Sequence, residues 1–112
     1  MRYILPCELA ARRVVPSIRA GLVTVLRHKG YNYYQISKLL NLTPAAVSQY
    51  VSKKRGGKIV DLMLKDQEIM RKLELISELI IKGESEAVNS EICSLCELVR
   101  KKYPEMIRTF PY

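Results

Sequence analysis

Asn32–Arg55, NYYQISKLLNLTPAAVSQYVSKKR, decides how the rest of the chain is read. Asn32 is a good N-cap, and Ile36, Leu39 and Leu40 give the following segment a buried face of helical period. Asn41 stands where the chain has to turn, and Asn tolerates positive φ better than most residues. Thr43 is a second N-cap and Pro44 suits a first helical position, where no amide hydrogen is needed. The spacing predicts a helix over 33–40, a tight turn pinned by Leu42, and a second helix over 44–55 that ends at Gly56-Gly57. Two helices crossing steeply need apolar residues on both and in the turn. Ile36, Leu40, Leu42, Val47 and Tyr50 supply them, and the small Ser37 allows close approach.

What the second helix leaves over points to function. Ala45, Ala46, Ser48 and Gln49 are short or flat side chains that can enter a DNA major groove. Gln49 can pair bidentately with an adenine edge, and the alanine methyls can meet a thymine methyl. Thr43, Lys53, Lys54, Arg55 and Lys58 stand where phosphate contacts are expected. The pattern is that of a helix-turn-helix. Charge supports it: residues 1–58 carry a net +10 and residues 59–112 a net −2, within a chain of +8. A basic half suits a polyanion, and a near-neutral half suits self-association.

Upstream, ILPCELAARRV over residues 4–14 predicts a short helix. PSIRAGLVTVLRHK predicts another from Pro16 to His28 or Lys29, with Ile18, Leu22, Val25 and Leu26 buried and Gly30 as an αL stop. Downstream, 59–82 reads as one long helix. Leu62, Ile69 and Ile76 recur every seven residues, Leu73 and Ile80 form the adjoining row, and Leu75 and Leu79 make a second apolar edge. This seam predicts dimerisation, the alternative being packing on its own domain. Gly83 ends that helix, GESEAVNSE reads as a polar linker, and a last helix is expected over 91–102 with Ile92, Leu95, Cys96 and Val99 as its stripe. The expected fold is therefore all-α: a helix-turn-helix domain over 1–58 and a dimerisation extension over 59–112 closed by a cysteine-bearing helix.

The chain has three cysteines, Cys7, Cys93 and Cys96. At i and i+3 on a helix, Cys93 and Cys96 face one side and can hold zinc or a cluster iron. Cys7 can add a third thiolate if the terminal helices meet, and His28, a partner residue or an exogenous ligand can supply the fourth. Buried free thiols and a disulfide are the alternatives. No run approaches the roughly 18 apolar residues of a membrane span, and no signal-like leader is evident, so a cytoplasmic protein is expected. One His, no nucleophile–base–acid set and no phosphate loop argue against an enzyme.

TPAAVSQYVSKKRG, preceded by ISKLLNL, resembles the lambda repressor/Cro-like helix-turn-helix and, more closely, a group of archaeal predicted transcriptional regulators. A similar module occurs in that group fused to a thiamine-phosphate synthase domain. ILPCELAARRVVPSIRAGLVTVL resembles the group's N-terminal helices, and ICSLCELVR its C-terminal cysteine helix. The resemblance implies a DNA-binding regulator with Ala45, Ala46, Ser48 and Gln49 facing the groove. Tyr33 stands where such repressors often carry a Gln that buttresses a phosphate, Ser37 replaces the usual Ala and Asn41 the usual Gly. No enzymatic domain follows the motif here, so none of the fused family's chemistry carries over. The expectation is a homodimeric, sequence-specific regulator bound to double-stranded DNA. The rival is a small metal, iron–sulfur or redox protein whose helix-turn-helix contacts another protein.

Overall fold

The computed structural model describes residues 14–52 and 57–103, the latter with backbone alone at 57–59. All regular structure among the described residues is helical: α1 Val15–His28, α2 Tyr33–Leu40, α3 Pro44–Val51, α4 Gly57–Lys65, α5 Gln67–Lys82 and α6 Ser85–Lys102. The helix expected over 4–14 lies outside these residues except for Val14, which is buried.

α1 is the central strut because it is apolar on two sides. Ala20, Val23 and Leu26 pack with Ile36, Val47, Tyr50 and Val60, which ties α2, α3 and α4 to it. Ile18, Leu22 and Val25 pack with Met63, Ile69, Leu73, Ile76, Leu95 and Val99 from α4, α5 and α6. Burying a Leu, Ile or Val side chain contributes about 1.5–3 kcal/mol, so the two clusters together hold the helices on one axis. α4 serves both, through Val60 and Met63. α1 and α5 approach closely at Gly21: a Cβ there would lie 2.9 Å from Leu73 Cδ1.

Two boundaries differ from expectation. The helix expected over 59–82 is two helices. Asp66 leaves helical geometry at φ −93°, ψ 115°, and its carboxylate accepts from the Glu68 and Ile69 amides. Lys102 Nζ closes on the same carboxylate at 2.9 Å and Tyr103 Oη donates to it at 3.1 Å. An N-cap tied to the end of α6 therefore resets the chain between α4 and α5. The second difference is the expected linker 83–91. Only Gly83, at φ 79°, and Glu84 separate α5 from α6. Ser85, Glu86, Asn89 and Ser90 are the exposed side of a helix whose inner side carries Val88 onto the core.

The heptad row also has a different partner. Ile69, Leu73 and Ile76 are fully buried within the chain against α1 and α6, so this seam is core and not a free dimer face. Leu75, 43% exposed, and half-buried Leu79 lie on the outer edge of α5, and Ile81 is also exposed near its end. No described helix is long and apolar enough to cross a membrane.

Candidate nucleic-acid interface

The α2–α3 pair is built by local signals. The Asn32 side chain accepts from the Gln35 amide at 2.8 Å, and the Gln35 side chain accepts from the Asn32 amide at 2.9 Å. This reciprocal capping box satisfies two amides left without partners at a helix start. At the other end Asn41 takes the left-handed conformation, φ 55° and ψ 47°. It is the one non-glycine residue with positive φ among those described. The Leu42 amide then donates to Ser37 O at 2.8 Å, which closes the turn. Thr43 Oγ1 accepts from the Ala46 amide at 3.1 Å and starts α3.

These caps fix which side of α3 faces out. Val47 and Tyr50 enter the core beside Ile36, while Pro44, Ala45, Ser48 and Gln49 are exposed. The exposed strip is thus small-residue with Gln49 as its one long polar side chain. Ala46 departs from expectation. At 9% exposed it is buried, because it stands four residues before Tyr50 and so shares the packed face; it lends packing rather than outward surface. Ser37 is buried as expected, its hydroxyl returned to Tyr34 O at 2.6 Å, so it adds no polar demand to the crossing. α3 ends earlier than expected, at Val51, with Ser52 as C-cap. Lys53, Lys54 and Arg55 lie outside the described residues, as does Cys7, and nothing is described of the Lys58 side chain beyond its place in α4.

Beside the pair lies a surface that spacing alone had not resolved. The Arg27 guanidinium sits 5.0 Å from the Tyr33 ring centre and donates to Tyr31 O at 3.3 Å. Lys38 Nζ sits 5.3 Å from the ring of Tyr34, which is 62% exposed. The i, i+4 relation of Tyr34 and Lys38 is the sequence signal for the second of these pairs. Each cation over an aromatic face presents positive charge without burying it.

The described thiols lie far along the chain from this pair, on α6. Cys93 is exposed and Cys96 half-buried. Burial pushes the Cys96 thiol up, with Arg100 acting in the opposite sense. His28 is exposed at the C-terminal end of α1. Among the described residues no three His, Cys, Asp or Glu side chains cluster as a metal site, so the expected Cys7–Cys93–Cys96 set is represented only by its α6 pair.

The chain matches no family model, no curated protein and no solved structure.

Proposed function

We propose that the protein is a sequence-specific DNA-binding regulator of transcription. In this reading α2 and α3 form a helix-turn-helix of the lambda repressor/Cro-like kind, and α3 enters the major groove. The observation that carries the reading is the two-sidedness of α3: Val47 and Tyr50 are buried against α1, while Ala45, Ser48 and Gln49 form an exposed strip without bulk or charge. Such a strip can approach base edges. The Lys53–Arg55 run follows it directly in sequence, and Lys58 comes three residues later. Arg27 and Lys38 add positive charge beside the same pair.

The regulator acts in the cytoplasm as a homodimer on paired half-sites about one helical turn apart. With Ile69, Leu73 and Ile76 used inside the chain, the contact between copies falls to the outer edge of α5 at Leu75 and Leu79. The test is selection of bound duplexes from a random pool, then titration of the selected site across salt. Gln49→Ala relaxes base preference, whereas Lys54→Ala weakens all duplexes alike and lowers the salt slope by about one unit. Unchanged binding in both variants refutes the assignment.

A further inference from the structure

The C-terminal half of α1, the end of α3 and the end of α4 border an open cleft of about 460 Å3, lined among the described residues by Thr24, Arg27, His28, Val51 and Leu64. Clefts of this size hold small molecules. The lining is divided by chemistry. Val51 is 38% exposed, because Val47 and Tyr50 take the packed side of α3, and Leu64 is half-buried against the smaller core cluster. A single exposed apolar side chain needs no explanation, but these two come from different helices and share one concavity.

Arg27 and His28 supply the polar side of the cleft. Arg27 is held in place: its Nη1 donates to Tyr31 O at 3.3 Å and its guanidinium sits 5.0 Å from the Tyr33 ring centre. The remaining N–H groups of the fork are left for another acceptor. Exposed His28 adds a ring N–H whichever nitrogen carries the proton. The carbonyls at the end of α1 do not oppose these donors, since Val25, Leu26 and Arg27 O accept from the amides of Lys29, Tyr31 and Gly30. No acidic side chain lines the cleft among the described residues. Thr24 Oγ1 spends its proton on Ala20 O at 3.0 Å, so it adds a methyl group and an acceptor.

We propose that this cleft binds a small-molecule carboxylate carried on a flat apolar body. The body lies on Val51 and Leu64, and the carboxylate accepts from Arg27 and His28, charge-assisted contacts of the stronger kind. Neither a bare phosphate nor a neutral aromatic uses both sides of the cleft. None of the exposed strip of Ala45, Ser48 and Gln49 lines it, so the inference stands whether or not α3 reads DNA.

The experiment titrates the full chain with 2-naphthoate and, separately, with 2-naphthamide, which keeps the ring and removes the charge. Backbone amide shifts and calorimetry report binding. Naphthoate is expected to bind saturably with a Kd of about 1 mM or tighter, moving the amides at the end of α1, at Val51 and at Leu64. Naphthamide binds on the order of tenfold more weakly. Arg27→Gln and Val51→Glu each weaken naphthoate on the order of tenfold, the second by setting a like charge on the apolar side. Both residues are exposed, so the variants keep the wild-type far-UV circular dichroism, which separates loss of the site from loss of fold. Lys101→Ala, on α6, leaves binding unchanged and excludes general attraction to a basic protein. Absence of saturable shifts in the wild type overturns the proposal. So does equal affinity for naphthamide, wild-type affinity in V51E, or loss of binding in K101A.

Discussion

Leu73→Ala tests whether the apolar row of α5 belongs to one chain or to two. Leu73 is 0% exposed and lies in the cluster formed by α1, α5 and α6. Truncating a buried Leu costs the lost transfer energy and a cavity term, about 2.7–5 kcal/mol together in well-packed helical cores. The neighbour across the gap is Gly21, whose ideal Cβ would lie 2.9 Å from Leu73 Cδ1 and 3.3 Å from Cδ2. Glycine has no side chain to swing into the void, which places the cost at about 3–5 kcal/mol. For a domain of this size that corresponds to a fall in Tm of roughly 12 °C or more. Urea unfolding of wild type and variant, followed by circular dichroism at several protein concentrations, gives the difference directly. The loss is expected to be the same at every concentration, because the contact is within the chain. A second substitution checks the geometry. Gly21→Ala crowds Leu73 in the wild type, but in the L73A background the new methyl has room and the better helix former stabilises by about 1 kcal/mol. A loss below about 1 kcal/mol for L73A would refute the argument; so would a loss that grows on dilution, the mark of a dimer seam.

Three further outcomes follow from named contacts. Asp66→Ala removes the N-cap of α5 and both ties to α6, at a cost of about 1–2 kcal/mol in denaturant unfolding at neutral pH. The hydrogen bond from Lys102 holds the Asp66 carboxyl below its usual range, opposed by partial burial. Its contribution is therefore present above the unfolded pKa near about 4 and fades as pH falls through the lower folded value. The gap between wild type and D66A should narrow below about pH 4, and a gap that widens there would contradict the assignment. Asn41→Val places a β-branched residue at φ 55° and should cost about 1–2 kcal/mol, whereas Asn41→Gly should be neutral or slightly stabilising by thermal melt. Leu75→Lys leaves the monomer fold intact, since Leu75 is 43% exposed, but lowers the mass seen by sedimentation if the outer edge of α5 joins two copies. An unchanged mass moves that contact elsewhere.

How much of the molecule was legible beforehand depended on the range of the forces involved. Caps and turns are contests among neighbouring backbone groups, so Asn32, Asn41, Thr43, Gly30 and Gly83 announced α2, the start of α3 and the ends of α1 and α5 within a residue or two. The outward strip of α3 followed from the same period that buries Val47 and Tyr50, with Ala46 misassigned because it sits at the edge of that stripe. The break at Asp66 was not legible because Leu62 and Ile69 keep a seven-residue interval across it, and the interval says nothing of a one-residue break. The start of α6 was obscured by the polarity of Ser85, Glu86, Asn89 and Ser90. Val88, four residues before Ile92, was the available signal.

Periodicity in the chain therefore established that Ile69, Leu73 and Ile76 form a buried row, as it did for Ile18, Leu22 and Val25. It could not name the surface that buries them, because the hydrophobic effect rewards removal from water and is indifferent to the partner. Tertiary packing made that choice: the glycine at position 21 lets α5 come close to α1, and Val88, Leu95 and Val99 bring α6 over the other side.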